Sequence, residues 1–278
     1  MNFQLIIEDI NELPPLSDIA RIVNRLYKDG AANVNILQLV EAIESDVSLS
    51  ANILHMINAP YYGLRTKITS ISQAVTLFGT ELVYGLVQNY AISATVKANM
   101  RPYGVSNTEF NKICHLQSAL VTHWYSKIDP INVNYLASLA LIMESGKLVV
   151  SREVVRSGSI KEFSAGVKES NDLILFEHQL FGSSSYYISG LLFDHWNMDP
   201  LMVEVLKGLD YEYKQISQKM DRYIECLDIV RTAINVKEFF TEKSLKDASK
   251  LVKESDLDVD DFLVSANYLK ELAMRDKK

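Results

Sequence analysis

Histidine, cysteine and carboxylate side chains are the groups that could bind a metal or move a proton, so their spacing comes first. The chain holds five histidines, His55, His115, His123, His178 and His195. None is followed by aspartate. Metal chemistry needs several ligands converging on one ion. His115 and His123 are eight residues apart, which on one helix is about 12 Å along the axis, too far to share an ion unaided. Each histidine therefore reads as a surface or hydrogen-bonded core residue. The segment EHQLFGSSSYYISGLLFDHW offers one carboxylate–imidazole grouping, Glu177 with Asp194 and His195, built from residue types common on helix surfaces. Its aromatics, Tyr186, Tyr187 and Trp196, read as core. There is no Walker A loop, GxGxxG, GxSxG or HExxH. Cys114 and Cys226 have no CxxC spacing and read as buried free thiols of a reduced intracellular protein.

The elements that must position these groups are helical. After Leu13-Pro14-Pro15, Ser17 can cap a helix with an apolar face of Ile19, Ile22, Val23 and Leu26, and Gly30 follows it. Asn35 with Gln38 forms a capping-box pattern ahead of Ile36, Leu39, Val40 and Ile43. Asp46 can cap a third helix that must stop near Pro60. Ser70 with Gln73 opens a short helix through Ala74 and Phe78 that Gly79 closes, and Thr80 starts a longer one. Residues 101–107, RPYGVSN, look like a subdomain boundary. Beyond it, Phe110 to Trp124 lie on one helix, and Asn134 can open the next. Lys147 to Val150 is strand-like alone but is expected to continue a helix. The polar stretch 157–170 gives little helical signal. Patterning resumes over 173–180, 187–196 and 201–209, then over 223–240, 245–253 and 262–274.

With only 11 Gly and 6 Pro in 278 residues, a many-stranded sandwich or barrel is disfavoured. The fold class expected is all-α, two helical subdomains packed together. The divisions are 1–104, 105–210 and a C-terminal set of helices over 211–278 packed on the middle part. The net charge of −7 gives no support to nucleic-acid binding. The N-terminus has no basic region before a short apolar stretch, and the run Leu136 to Met143 falls far short of a membrane span. A cytoplasmic protein with no membrane partner is expected.

One block carries a specific pattern. It comprises Leu13-Pro14-Pro15-Leu16, Ile43-Glu44-Ser45-Asp46, Leu54 to Gly63 (LHMINAPYYG), Ile68 to Val75 (ITSISQAV) and Phe78-Gly79. These five elements, in this order, resemble the N-terminal half of the HDOD domain, a bacterial signalling module related to the HD and HD-GYP phosphohydrolases. The resemblance is close to residue 79 and looser to about 210. Within it Pro14, Pro15, Asp46, Asn58, Tyr62, Gly63, Ser70, Ala74 and Gly79 read as architectural. Asp46 and Ser70 are caps, Gly79 is a helix end, and the Asn58 amide can bind carbonyls freed before Pro60.

The resemblance also implies where a metal site has been lost. Ala140 to Val150, ALIMESGKLVV, looks like the family segment GLLHDIGKLVL, with Met143 and Glu144 at the metal-binding His-Asp pair. Met is a poor ligand for hard divalent metals. Glu177 to Leu192 resembles a second family segment, matching at Phe181 and Gly182 but with Ser185 in the histidine position. The paired histidines expected further on fall near Gly208 and Leu209. One remaining carboxylate, Glu144, cannot hold a catalytic metal. The reading is a regulatory protein with no catalytic residue, metal or cofactor, acting on protein partners, in motility or stress signalling as the resemblance implies. Two alternatives stay open. One is a phosphodiesterase acting on cyclic (di)nucleotides with a site rebuilt from Glu144, Glu177, Asp194 and the histidines. The other is a sensor that binds a small nucleotide effector.

Overall fold

The computed structural model describes residues 2–28, 30, 33–213 and 218–275, and among these the chain is helical, with one isolated two-residue bridge, Ile234 to Phe239. The first turns form where short polar side chains can hold the otherwise unbonded backbone N–H groups of a helix start. Ser17 accepts from Ala20 N at the head of α2 (Asp18–Leu26), and Asn35 from Gln38 N at α3 (Ile36–Glu44). Asp46 does so for α4 (Val47–Ile57) and Ser70 for α5 (Ile71–Val96), as the sequence predicts. α5 is bent at Gly79, whose φ of 77° and ψ of 166° suit only glycine. An added Cβ there would also stand 2.6 Å from Asn134 Nδ2. Gly79 thus breaks this run into the two helices the sequence predicts, which meet at a sharp kink.

α1 (Phe3–Asn11), which the sequence reading did not find, precedes them. Its nine residues bury Ile6 and Ile10, and Asp9 accepts a bond from Arg152 Nη2 at 3.0 Å. The second part begins with α6 (Asn107–Leu120), opened by a reciprocal Ser106–Glu109 capping box and continued by a π-helical turn over Val121–Tyr125. α7 (Val133–Ile142) starts directly after Asn132, one residue ahead of the expected Asn134, because Asp129 accepts from both the backbone N–H and the side-chain amide of Asn132 and fixes it as the cap position. A single tight turn, Met143–Ser145, leads into α8 (Gly146–Arg156), so Lys147 to Val150 is helical. α5 crosses α7 closely, since Gly85 leaves no room for a Cβ against Ser138.

α9 (Ile160–Glu169) forms in the weakly patterned stretch by burying Phe163 and Val167. α10 (Leu173–Phe181), α11 (Ser185–His195) and α12 (Pro200–Gly208) follow, each opened by an Asp or Ser cap. α13 (Gln218–Ala233) ends seven residues before the expected Phe240. Asn235 accepts the N–H groups of Lys237 and Glu238 and so closes a turn where the helix would have run on. α14 (Glu242–Glu254) and α15 (Val259–Arg275) complete the chain. α13 packs on α7 and α12, while α15 lies across α6 and the Pro60–Tyr62 turn. The buried side chains make one cluster running from Ile6 to Ala273. Val133–Arg156, α7 through α8, is long and apolar enough to cross a membrane, but 89% of its most apolar window is buried inside this core.

Candidate functional site

The turn between α7 and α8 is held against α11 by the Ser189 hydroxyl and by the close backbone approach at Gly146. Ser189 Oγ donates to Met143 O at 2.8 Å and accepts from Gly146 N at 2.7 Å. Gly146 lies so close to α11 that a Cβ would sit 1.9 Å from Ser185 O. This contact aims Lys147, on the first turn of α8, into the protein with 1% of its surface exposed. Its ammonium lies 2.6 Å from Glu144 Oε2 and donates to Ser185 Oγ at 3.0 Å. It also sits 4.2 Å from the centre of the Tyr186 ring and 5.9 Å from that of Tyr103, within cation–π range.

Around this ion pair most polar groups are matched, although the buried Gln117 Oε1 accepts no hydrogen bond. Glu144 Oε1 accepts from Gln117 Nε2 at 2.9 Å and from the Tyr186 hydroxyl at 3.1 Å. Gln117 also donates to Ile234 O at 2.8 Å, tying the site to the end of α13. Glu177 accepts from the Tyr103 hydroxyl at 2.7 Å and from Ser185 N at 2.6 Å. On the far face of the centre, the Arg231 guanidinium stacks 4.3 Å from the Tyr186 ring, pairs with Asp228 and donates to Leu209 O at 3.0 Å. Burial opposes the charge on Glu144, yet Lys147, with the hydrogen bonds from Lys147, Gln117 and Tyr186, holds its carboxyl below the usual range. Burial likewise opposes the charge on Lys147, but Glu144 outweighs it and the lysine pKa is raised. Burial pushes the Tyr103 and Tyr186 hydroxyls and the Cys114 thiol up, with Glu144 adding to each, so none of the three is a ready proton donor or nucleophile.

Whether a divalent metal of the HD type would fit can be judged from these contacts. Met143 and Ser185, at the positions where the family pattern has ligands, are fully buried and offer a thioether and a hydroxyl. Leu209 is an aliphatic side chain whose carbonyl serves Arg231. Both oxygens of Glu144 are already engaged. Among the described residues, no three His, Cys, Asp or Glu side chains are grouped to hold a metal ion. The residues present do not fit that group.

The grouping of Glu177, Asp194 and His195 is not brought together. Glu177 is turned inward to Tyr103 and Ser185, whereas Asp194 is exposed beside Lys207 Nζ at 3.5 Å and His195 packs on Trp196. His178 instead meets Asp210, its Nε2 2.9 Å from Oδ1. Burial raises the Asp210 pKa, but hydrogen bonds from Ser184 and Glu212 and the charge of His178 lower it further.

The motif residues of the first hundred positions act as joints. Asn58 Nδ2 donates to Leu54 O and Ile68 O, and its Oδ1 accepts from Ile68 N at 2.8 Å, so one amide closes a helix and anchors the next strand of chain. Pro14 O accepts from Trp196 Nε1 at 3.2 Å, joining the Leu-Pro-Pro block to α11. Tyr62 approaches His115 Nδ1 at 3.2 Å, and His123 Nε2 donates to Tyr61 O at 3.2 Å. The two histidines, too far apart to share an ion, thus each hold one tyrosine of the same turn. Gly63 leaves that turn with φ 67°, under the Tyr268 hydroxyl of α15.

Lys147, Tyr103, Gln117 and Arg231 are the site residues that sequence reasoning missed. Lys147 and Arg231 carry a usable signal, since each is a cation set among apolar residues on a helix. Tyr103 and Gln117 carry none, because their roles arise only when α6, α8 and α10 meet.

The sequence matches the HDOD domain family over residues 13–209. Among solved structures it is similar to a virulence factor from Campylobacter jejuni, at 24% identity over 95% of each chain with a TM-score of 0.56. It is also similar to an HDOD domain protein of unknown function from Geobacter sulfurreducens, at 16% identity over 98% of each chain with a TM-score of 0.60. No curated protein matches it in sequence.

Proposed function

The chain belongs to the HDOD domain family, and we propose that it serves there as a signal-transduction protein that binds a protein partner and carries out no hydrolysis. The observation that carries this reading is the Lys147 ammonium, buried between Glu144, Ser185 and two tyrosine rings. Metal-assisted hydrolysis needs carboxylate and imidazole ligands around an ion with an open coordination position for water. Here a cationic side chain takes up the carboxylate, and packing fills the space. A net charge of −7 favours a protein over a nucleic-acid partner. Leu37 and Val47, 74% and 82% exposed in the first turns of α3 and α4, supply apolar contact on the motif-bearing half.

Elemental analysis of the intact purified chain, paired with a hydrolysis panel of cyclic mono- and dinucleotides in added Mn, Fe or Zn, tests the non-catalytic half. The expected result is below about a tenth of an equivalent of metal and no turnover. Stoichiometric metal with metal-dependent hydrolysis would instead establish the phosphodiesterase alternative. For the partner, cross-linking capture with the wild-type chain and with Leu37→Asp/Val47→Asp should differ by the loss of one stoichiometric protein. Identical captures, or none, count against binding through this face.

A further inference from the structure

α1 (Phe3–Asn11) lies outside the residues matched by the family and is a poor helix on its own terms. Three of its nine residues, Ile6, Ile7 and Ile10, are β-branched, and nine residues fall short of the length at which a helix holds alone in water. Glu8, Asp9 and the C-cap Glu12 put negative charge at its C-terminal end, where the helix dipole opposes it. Its seat holds it in shape. α1 rests on α8 and α11, with Ile6 and Ile10 buried and the Phe3 ring 6.4 Å from that of Tyr187. We propose that this seat is a docking groove for a helix of a protein partner, apolar and acidic on one face, and that α1 is its exchangeable occupant.

The charged side of the groove is fixed without α1. Arg152 Nη1 donates to Val96 O at 3.0 Å and Arg156 pairs with Glu153, so both guanidinium groups are held from outside α1. Asp9 meets them across the groove through one oxygen, its Oδ1 lying 3.0 Å from Arg152 Nη2 and 3.9 Å from Arg156 Nη1. A carboxylate set between aliphatic anchors one turn apart, as Asp9 is between Ile6 and Ile10, is the pattern this groove accepts. α1 meets it incompletely, because Asp9 Oδ2 is buried with no hydrogen-bond partner. A buried acceptor left unmatched weakens the seat. A partner helix whose carboxylate engages the arginines through both oxygens has the advantage over it.

α1 can leave while the rest stays fastened. Leu13 and Leu16, next along the chain, are buried, and Pro14 O accepts from Trp196 Nε1 at 3.2 Å. The motif block is thus tied to α11 separately, just beyond the helix. The groove is a different surface from that of Leu37 and Val47, and its test needs only the chain itself, so the two readings stand or fall separately.

Native-state hydrogen exchange of the full chain, and fluorescence anisotropy with a labelled peptide of residues 2–12, test this. The α1 amides of the wild type are expected to exchange at least about a hundredfold faster than the buried amides of α8. Exchange of both at one rate overturns the proposal, because α1 then leaves only when the whole chain unfolds. Asp9→Arg in the full chain sets like charge against Arg152 and Arg156 and vacates the groove. The peptide should bind that variant at least about tenfold tighter than it binds the wild type. A peptide itself carrying Asp9→Arg should bind the variant at least about tenfold more weakly. No binding to the variant, or equal binding of the two peptides, overturns the proposal as well. A wild-type chain that dimerises in light scattering, with its α1 cross-linked to α8 of a second copy, would give the groove to that copy and overturn the assignment to another protein.

Discussion

At Lys147 a charge is kept inside the protein only because Glu144 answers it at 2.6 Å. Removing one partner leaves the other buried and uncompensated, which costs about 3–5 kcal/mol. Lys147→Met is expected to lose that amount in urea unfolding, and Glu144→Gln/Lys147→Met to recover most of it, because the pair is then replaced by neutral groups. A double variant as unstable as the single one would show that packing, not charge, holds the centre. His115 sets a pH window of its own. Burial, with a further push from His55, lowers its pKa to about 4. The unfolded chain therefore binds a proton that the native state refuses between about pH 6.5 and 4, and stability falls as pH drops through that range. The loss from this group is on the order of 3 kcal/mol. Glu144, with its pKa lowered, adds a loss in the same direction, beginning near the ordinary carboxylate pKa and ending at its folded value. His115→Gln should flatten the part of the stability curve between pH 6.5 and 5, measured by denaturant midpoints. At this scale the family resemblance implies that Met143 and Ser185 take ligand positions, an expectation that needs only side-chain identity. It does not show that Lys147 fills the gap, because the partners come from α6, α10 and α11.

Caps and breaks are local, and that is why the helices were legible. Ser17, Asn35, Asp46 and Ser70 each accept a backbone N–H within three residues, so four helix starts follow from their own neighbourhoods. α1 was missed because its apolar residues Phe3, Ile6 and Ile10 have meaning only against α8 and α11. α13 was read too long because apolar spacing continues through Ile234, Val236 and Phe240, while the stop comes from the Asn235 side chain. The bend at Gly79 gives a test at this scale. Its φ and ψ fall in a region nearly closed to other residues, and Asn134 blocks the place of a Cβ. Gly104 also has a positive φ of 78°, but in the ordinary left-handed region with nothing near its Cβ. Gly79→Ala is therefore expected to cost about 3 kcal/mol and Gly104→Ala about 1 kcal/mol. Equal losses in paired thermal melts would mean that the bend adjusts and does not define the joint.

The family match ends at residue 209, but the core does not. Leu227, Ile229, Val230 and Ile234 on α13 and just beyond it are fully buried, as is Phe262 on α15, which packs edge-on against Trp124 at 5.1 Å. Polar ties cross the same line, with Gln117 bonded to Ile234 O, Arg231 to Leu209 O and Lys112 to Ala273 O. From sequence, helices beyond residue 210 could be foreseen by their amphipathic spacing. Their reach back to the Pro60–Tyr62 turn through α15 could not, because contacts separated by some 200 residues leave no local pattern. The structure therefore sets the C-terminal helices as part of the folding unit. A chain ending at Asp210 would expose those apolar faces, take Ile234 O from Gln117 and take the Arg231 donor from Leu209 O. That fragment is expected to aggregate or to lose its cooperative melt, read by circular dichroism and size-exclusion chromatography. A monomeric fragment that melts as sharply as the full chain would show that the HDOD region supplies a sufficient core, and that α13 to α15 are held on a finished domain.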